Sequence, residues 1–399
     1  WRSFAQKEDN MKILMINVSC GTGSTGRICT DLAQALEARG HQVKIAYGRD
    51  AVPPQYQRFA VRVDSDWGVK LHGIRARLWD CSGFDSQSAT ERFIHWVREF
   101  DPDIIHLHNL HGYYIHVGVL FRYLRACGKR IIWTLHDCWP FTGHCTYFDY
   151  AQCERWKTGC GHCPQKREYP TSWWLDFSRQ RYLEKQKLFT GIERMVVVTP
   201  SQWLADLVKQ SFLKEYPTTV IHNGIDTAVF QPMRSDIKMR LGCADKRMVL
   251  GVASRWDRRK GLDEFVKLSQ ILPPEFQIVL VGLSQAQIGD LPKNIIGVEA
   301  TSSVRELAEF YSAAEVFVNP TQEDNYPTTN LEAISCGTPV ITYETGGSPE
   351  SARLYGTAVP KGDVAAIARL LQEAPAFIRV QQSVDKTVAL EEYLKLYRS

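Results

Sequence analysis

Short apolar segments alternate with segments of helical pattern along this chain, and the alternation starts a second time near its middle. In the first series the apolar segments are 12–18, 43–47, 104–107 and 130–135, with helices predicted at 26–39 and 117–127. In the second series they are 248–253, 277–281, 316–319 and 339–343. Strands of β-branched residues separated by helices predict parallel sheets with right-handed crossovers. The sequence therefore predicts an α/β protein with two parallel-sheet domains.

The length and composition agree with two domains. A chain of 399 residues exceeds what one hydrophobic core usually supports, and 44% apolar with 23% charged residues is ordinary globular composition. We expect an N-terminal domain at 11–222, a C-terminal domain at 223–380, and a final segment, 381–399, whose helix crosses back to the N-terminal domain. Ligands of such sheets bind outside the carboxyl ends of the strands, so the site is expected in a cleft between the domains.

Charge and hydropathy exclude several classes of protein. Lys and Arg total 48 against 44 for Asp and Glu, a net charge of +4 that does not indicate a nucleic-acid partner. There is no run of about 18 apolar residues, and the segment before Met11 is too polar for a signal peptide. We therefore expect a cytoplasmic protein. Met11 is followed at once by the first strand, so residues 1–10 are expected to be an added or disordered segment.

The segment 319–341 combines a strand, a polar turn and a helix that ends at Gly337. Backbone N–H groups at a helix N-terminus bind anions, and nearby carboxylates bind sugar hydroxyls. Asp324 lies in the turn and Glu332 lies eight positions further on, in the helix. The other residues of this candidate sugar-nucleotide site are Asn325, Tyr326, Thr328 and Thr329. The alternative is an ordinary capped helix with two solvated carboxylates.

A basic loop follows the strand at 248–253 and places Arg255 and Lys260 at its carboxyl end. Two fixed cations can stabilise the charge that develops on a leaving diphosphate without a catalytic metal. A solvated basic loop is the alternative. We expect the neighbouring Arg258 and Arg259 to be solvated.

A glycine-rich loop, 20–27, follows the first strand and opens a helix. Its residues Gly21 and Gly23 let the backbone approach a ligand closely. A dinucleotide-binding fold would need an acid at the end of the second strand to bind ribose, and no acid occurs there before Asp50. The interpretation of this loop as part of a dinucleotide-binding fold is therefore disfavoured.

Histidines follow two strands of the first series. His136 and Asp137 end one strand, where Asp137 would orient His136 or meet an acceptor hydroxyl. His106, His108 and His111 close another. They could bind a metal, but given the resemblance described below we favour a position on the acceptor side, with one or two of them in a structural role. A lone histidine is more often structural than catalytic.

Four of the eleven cysteines, Cys145, Cys153, Cys160 and Cys163, lie within nineteen residues in an insertion at 138–170. A Cys-x2-Cys pair with two upstream thiols suits a closed, structural zinc site. Free thiols and, in an oxidising compartment, two disulfides are the alternatives. A zinc hydrolase is disfavoured, since four thiolates leave no open position for water.

Segment 164–189 mixes six Lys and Arg residues with Trp173, Trp174 and Phe177. This composition is typical of a surface that docks on a membrane. A helix that packs its aromatic residues onto the first domain explains the same residues. We expect the inner membrane surface as a partner because the acceptor implied below is often linked to lipid.

Several of these motifs together resemble the retaining glycosyltransferases of family 4, which have the GT-B fold of two Rossmann-like domains. Asp324 and Glu332 are similar to the family's Glu-x7-Glu motif, and Arg255 and Lys260 to its Arg-x4-Lys-Gly motif. Residues 223–226 resemble the motif near the family's hinge, and the Cys-rich insertion resembles a bacterial polysaccharide-biosynthesis subgroup. The resemblance implies that the first acid contacts the transferred sugar and the second the ribose, while the histidine at His136 contacts the donor sugar. It also implies that the glycine loop lies against the acceptor and the donor phosphate.

The activity that the resemblance implies is transfer of a hexose from a nucleotide diphosphate sugar, with a UDP-sugar favoured. The acceptor would be a hydroxyl of a capsule or exopolysaccharide repeat unit or a lipid-linked oligosaccharide. Two departures from the family pattern affect the donor: Asp324 is one methylene shorter than Glu, and Pro327 replaces a glycine that would supply an N–H. The alternative function is a catalytically silent scaffold that binds sugar nucleotides.

Overall fold

The computed structural model describes residues 10–399, so the expectation for residues 1–10 lies outside the described residues except at Asn10. The chain forms two compact units. The first extends to Ile221 and takes in Leu390–Ser399, and the second is His222–Ala389. Each unit contains one parallel sheet, so the predicted α/β class with two Rossmann-like domains is confirmed.

The first unit carries seven strands and six α-helices of the described chain before residue 222. Its strands are β1 (Lys12–Ile16), β2 (Gln42–Tyr47), β3 (Ala60–Arg62), β4 (Ile104–Leu107), β5 (Arg130–Thr134), β6 (Met195–Thr199) and β7 (Thr218–Val220). Its helices are α1 (Gly23–Glu37), α2 (Asp66–Trp79), α3 (Gln87–Phe100), α4 (Val117–Ala126), α5 (Ser178–Phe189) and α6 (Gln202–Val208). Helix α1 begins three residues earlier than predicted, so Gly23 lies in its first turn.

The second unit repeats the alternation. Its strands are β8 (Arg247–Val252), β9 (Phe276–Val281), β10 (Ile295–Val298), β11 (Val316–Asn319), β12 (Val340–Tyr343) and β13 (Gly356–Val359). Its helices are α7 (Ile237–Arg240), α8 (Leu262–Ile271), α9 (Gln285–Gly289), α10 (Val304–Ala313), α11 (Thr328–Ser335), α12 (Ser348–Ala352) and α13 (Val364–Glu373). The last helix, α14 (Lys386–Arg398), follows.

The strand orders place the ends of particular strands side by side. The first sheet has the order β3-β2-β1-β4-β5-β6-β7 and the second β10-β9-β8-β11-β12-β13. The order reverses between β1 and β4 in the first sheet and between β8 and β11 in the second. Ligands of open parallel sheets bind at the carboxyl ends of strands beside such a reversal. A ligand-binding site is therefore expected in the loops after β1, β4, β8 and β11.

The central strands are largely apolar because both faces of each sheet are covered. In β1, Ile13, Leu14, Met15 and Ile16 are completely buried. Helix α1 buries Cys29, Leu32, Ala33 and Leu36, the spacing of one face of a helix. No helix among residues 10–399 combines the length and the apolar character needed to cross a bilayer.

The C-terminal end of α14 belongs to the first unit. Tyr397 is 2.8 Å from His106 Nδ1, and the hydroxyl of Tyr393 is 2.8 Å from Thr134 Oγ1. Both tyrosines are buried. Residues from β4, β5 and α14 therefore share one polar cluster, although they are far apart in sequence.

Candidate functional site

The turn between β11 and α11 holds its acidic residue against a lysine. Lys260 Nζ donates to Asp324 Oδ2 at 2.5 Å, and the Asn325 N–H donates to Asp324 Oδ1 at 3.0 Å. Burial opposes the charge on Asp324, but Lys260 and Arg259 outweigh it and lower the pKa of the carboxyl group below its ordinary value. Asp324 is therefore an anion that is already paired with a cation of the basic loop.

The basic loop reaches this turn because of a close backbone approach. Gly261 has φ +77°, and a Cβ there would lie 2.3 Å from the carbonyl oxygen of Pro320. Asp257 Oδ1 caps the short turn by accepting from the Lys260 N–H at 3.1 Å. Only glycine fits this position, and it directs the lysine toward Asp324.

Arg259 corrects one expectation from sequence. Its side chain is half-buried and donates to the carbonyl of Glu323 at 3.3 Å, while its own carbonyl accepts from the Gln322 N–H at 2.7 Å. Arg258 and Arg255 are exposed. The prediction that Arg258 and Arg259 are both solvated is thus wrong for Arg259, because the left-handed residue at 261 folds the loop onto the turn.

Helix α11 presents its first turn at the same place. Thr328 and Thr329 are its first two residues, so their N–H groups precede the intrahelical hydrogen bonds. Asn330 fixes the helix: it accepts from Asn319 Nδ2 at 2.8 Å and donates to Ser351 Oγ at 2.9 Å. The N-terminus of α11 is therefore held rigidly beside the end of β11.

Glu332 lies one turn further along α11. It is buried, and Tyr311 of α10 donates its hydroxyl to Glu332 Oε2 at 2.9 Å. Tyr311 lies 21 positions before Glu332 in sequence, so no local motif indicated this contact. The hydroxyl orients the carboxylate, which suits a group that accepts hydrogen bonds from a ligand.

Two predicted residues of the turn are packed inside it. Tyr326 is buried and stacks on His222 with ring centroids 4.7 Å apart. Asn325 is also buried. Gly346 allows this packing, since a Cβ there would lie 1.8 Å from the Asp324 carbonyl oxygen. The side chains of Tyr326 and Asn325 therefore shape the turn from within.

In the first unit, the glycine loop follows β1 as predicted. Gly21 has φ +79°, and a Cβ there would lie 2.5 Å from the ring of Tyr56. Gly23 has φ +65° but faces open space. Asn17 accepts at 3.3 Å from the N–H of Asn109, which follows β4. This bond joins the two loops where the strand order reverses.

The histidines after β4 and β5 form a buried chain. His106 Nε2 is 2.8 Å from Thr134 Oγ1, and His108 Nδ1 is 3.0 Å from His136 Nε2. Burial lowers the pKa of His106 to about 3 and that of His136 to about 4, and it lowers the pKa of His108 well below its ordinary value. These rings are therefore neutral at neutral pH, so one ring nitrogen of each can accept a hydrogen bond.

Asp137 pairs with His111. The two side chains meet at 2.7 Å between Asp137 Oδ2 and His111 Nε2, and His111 Nδ1 is 3.1 Å from the hydroxyl of Tyr169. Burial opposes the charge on Asp137, but His111 and the Trp139 N–H outweigh it and lower the pKa of the carboxyl group. Of the two roles expected for Asp137, orientation therefore falls on His111, while His136 is held by His108.

The cysteines of the insertion lie close together without disulfides. None of the eleven cysteines, all of which lie within the described residues, forms a disulfide. Cys160 Sγ accepts from the Gly143 N–H at 3.2 Å. The thiol of Cys145 hydrogen-bonds to Cys163 and lowers the pKa of Cys163 to about 7. Nowhere in residues 10–399 do three or more His, Cys, Asp or Glu side chains form a group arranged to hold a metal ion. The zinc site at Cys145, Cys153, Cys160 and Cys163 stays a prediction.

A lysine is buried beside these thiols. Lys185 of α5 donates to the carbonyls of Trp139 at 2.8 Å and Thr142 at 3.1 Å. Burial lowers the pKa of its ammonium group to about 7. The lysine thereby ties the first turn of the insertion to α5.

Comparison with known proteins shows the family to which this chain belongs. Residues 25–229 match the model of Glycosyltransferase Family 4, and residues 247–374 match that of Glycosyl transferases group 1. The chain belongs to glycosyltransferase family 4, and it is a glycosyltransferase.

Individual relatives and structures agree with this class. The chain is 26% identical over 359 residues to the colanic acid biosynthesis glycosyl transferase WcaC of Escherichia coli (strain K12), with 85% of each chain covered. It is 28% identical over 173 residues, 44% of that protein, to the alpha-galactosylglucosyldiacylglycerol synthase of Streptococcus pneumoniae.

Sucrose-phosphate synthase of Thermosynechococcus elongatus has the same fold, with a TM-score of 0.72, 20% identity and 98% of both chains covered. Anabaena HepE, solved in complex with UDP-glucose, has a TM-score of 0.62, 16% identity and coverage of 98% of this chain and 95% of its own. These solved structures have the GT-B glycosyltransferase fold, and the fold expected from the sequence is confirmed.

Proposed function

We propose that this glycosyltransferase moves a hexose from a nucleotide diphosphate sugar, with a UDP-sugar favoured, to a hydroxyl of a polysaccharide or lipid-linked oligosaccharide. The observation that carries the proposal is the Lys260–Asp324 pair at the N-terminus of α11. It brings a cation, a carboxylate and free helix N–H groups to one place. A diphosphate bonded to a sugar needs these three kinds of group.

The cations would serve the leaving group. As the bond between the anomeric carbon and the diphosphate breaks, negative charge grows on the phosphate oxygens. Lys260 and Arg255 would stabilise that charge, and the N–H groups of Thr328 and Thr329 would add hydrogen bonds from the helix N-terminus. Because positive charge is supplied by side chains, the proposal requires no catalytic metal.

The carboxylates would hold the two ends of the donor. Asp324 would accept hydrogen bonds from hydroxyls of the transferred sugar, and its pairing with Lys260 would place the sugar next to the diphosphate. Glu332, oriented by Tyr311, would accept from the ribose hydroxyls. The low dielectric around Glu332 strengthens such hydrogen bonds.

Transfer would proceed with retention by substitution on one face of the sugar. The acceptor oxygen forms the new bond to the anomeric carbon on the face from which the diphosphate leaves, and the acceptor proton passes to a diphosphate oxygen. The protein then acts mainly by positioning and by charge stabilisation. His136, neutral because of its burial, would contact the donor sugar as a hydrogen-bond partner. Asp137, held by His111, would lie on the acceptor side together with the glycine loop.

Two relatives support the choice of substrates. HepE has the same fold and was solved with UDP and with UDP-glucose, which favours a UDP-sugar. WcaC is described by its role in colanic acid biosynthesis, which favours a polysaccharide repeat unit as acceptor.

A panel of UDP-, GDP- and dTDP-sugars tests the proposal. We expect one UDP-sugar to raise the melting temperature and to be hydrolysed slowly, with release of the nucleotide diphosphate. Stabilisation without hydrolysis, and without transfer to any lipid-linked oligosaccharide, would instead support the binding scaffold. No response to any donor would refute the proposal.

A further inference from the structure

Helix α2 turns an apolar stripe toward solvent. Trp67, Leu71 and Ile74, spaced as one face of a helix, are 81%, 46% and 53% exposed. The opposite face buries His72 and Ala76. Isolated exposed apolar residues are common, but a stripe along two turns of a helix indicates a surface that binds something.

A second group of exposed apolar residues adjoins α2. Trp173, Trp174 and Leu175 are 48%, 68% and 38% exposed. The Trp173 N–H donates to the carbonyl of Arg77 near the end of α2 at 2.8 Å. Trp79, the last residue of α2, is 50% exposed. We call these residues of α2 and of 173–175 together the tryptophan surface.

The segment 173–175 is held in this exposed position by polar contacts. Lys166 Nζ donates to the Trp174 carbonyl at 2.9 Å, and Ser172 Oγ donates to the Leu175 carbonyl at 2.7 Å. Beyond it, the Phe177 N–H donates to Asp80 Oδ2 at 2.8 Å. The two tryptophans are therefore kept on the surface by the backbone and do not collapse into the core.

Helix α5, which belongs to segment 164–189, packs its aromatic residues onto the first unit, as the alternative interpretation of this segment allowed. Its Tyr182 and Phe189 are buried in the first unit. The segment 164–189 thus divides into an exposed aromatic part at 173–175 and a helix that packs inward.

The charge around the tryptophan surface is positive. Residues 66–79 and 164–175 contain five Lys and Arg residues against two Asp and Glu residues. Lys70 lies between Trp67 and Leu71 in sequence, with Nζ 5.3 Å from the centroid of the Trp67 ring. Aromatic and branched apolar residues bordered by cations are typical of helices that lie in the headgroup region of anionic bilayers. The same positive charge disfavours a second copy of the chain as the occupant, because two such surfaces repel each other.

We propose that the tryptophan surface docks this protein on an anionic lipid bilayer. The tryptophan and leucine side chains enter the interface between headgroups and acyl chains, and Lys70, Lys166 and Arg167 remain at the level of the lipid phosphates. Such docking brings the enzyme to acceptors that are confined to the bilayer. The inference does not depend on the proposed donor or acceptor, since lipid binding requires neither.

Co-sedimentation with vesicles tests the inference. One set of vesicles contains phosphatidylcholine only, and the other contains equal parts of phosphatidylcholine and phosphatidylglycerol. We expect the full chain to bind the anionic vesicles at low salt and to be released in part at high salt.

Trp67→Ala combined with Trp174→Ala should weaken binding at least about tenfold. The matched control is Met239→Ala combined with Ile378→Ala, since both residues are exposed in the second unit.

A variant with two reversed charges separates the electrostatic contribution to vesicle binding from the apolar contribution. Lys70→Glu with Arg167→Glu, both away from the contacts that hold 173–175, should reduce binding to anionic vesicles and leave weak binding to neutral ones unchanged. The melting temperature without any added ligand should be the same in all variants, which checks that each folds. The inference is refuted if the unmodified protein does not bind anionic vesicles, or if the tryptophan variant binds as well as its control. It is equally refuted if the protein is a dimer in solution that the tryptophan variant dissociates.

Discussion

The ammonium group of Lys260 lies 2.5 Å from the carboxylate of Asp324, although the two residues are 64 positions apart. This pair stabilises both charges in a partly buried turn. A bound diphosphate sugar would share the two groups, with the lysine on the phosphate and the carboxylate on the sugar. The pair therefore joins the two predicted motifs of the second unit into one candidate site.

Removing the Lys260 charge tests its role in the reaction. In Lys260→Ala we expect kcat to fall by about 100- to 1000-fold, because a cation aimed at developing charge is lost, with a smaller effect on KM. Initial rates with the preferred donor give both constants. Lys267→Ala, at an exposed lysine that pairs with Glu264, should keep normal kinetics. Equal losses in the two variants would contradict the assignment.

Replacing Glu332 separates donor binding from catalysis. Glu332→Gln keeps the size of the side chain but loses the charge, so we expect nucleotide affinity to fall about ten- to hundredfold. Isothermal titration with the nucleoside diphosphate measures the loss. The exposed residue at Glu373 supplies the control substitution Glu373→Gln. Unchanged affinity in Glu332→Gln would remove Glu332 from the site.

The Asp137–His111 pair predicts a pH dependence of stability. The pKa of Asp137 is lower in the folded state than its unfolded value of about 4. The ionised carboxylate therefore stabilises the fold above about pH 4, and this stabilisation is lost as the pH falls through the folded pKa. Asp137→Asn should therefore lower the free energy of unfolding by about 3 kcal/mol at pH 7. The difference from the unmodified protein should shrink below about pH 4.

Urea denaturation at several pH values measures this difference, and Glu193→Gln, at an exposed carboxylate, is the control. A loss of stability that stays the same down to pH 3 would show that the ionised form of Asp137 is not what stabilises the fold.

Buried Lys185 predicts a second rise of stability with pH, in a higher pH range. Its pKa is about 7 in the folded state and about 10.4 when unfolded, so the unfolded state binds more protons between these values. The stability that Lys185 contributes should therefore rise from pH 7 to 10. Lys185→Met lacks this rise, and its free energy of unfolding relative to the unmodified protein should fall across the same range. Lys187→Met, at an exposed position on the same helix, should show no such change.

The predicted zinc site has a direct test. If the insertion binds zinc, the purified protein carries one metal ion per chain, and Cys163→Ser loses it while Cys243→Ser, far along the sequence in the second unit, does not. Atomic emission measures the metal content. A protein without zinc after purification in zinc-containing buffer would leave free thiols as the state of the insertion.

Much of the architecture was predictable from local pattern. The alternation of β-branched strands and helices indicated two parallel sheets, and the strands near 104–107 and 316–319 were placed correctly. The lysine at 260 and the acids at 324 and 332 could be singled out because their motifs lie within one loop or one helix. Such features depend on backbone conformation over a few residues, which a sequence pattern records.

The partners of these residues were decided by the tertiary structure. No sequence pattern indicated that Asp137 pairs with His111 and not with His136, that Tyr311 orients Glu332, or that Arg259 is half-buried. Each of these contacts depends on strand order and on how adjacent loops pack, which brings together residues between 21 and 64 positions apart. The sequence by itself thus determined the fold class and the candidate motifs through short-range periodicity and turn chemistry. Which charges are paired, which rings are neutral and which tryptophans remain exposed was decided only by long-range packing, because burial and electrostatic environment are properties of the folded chain.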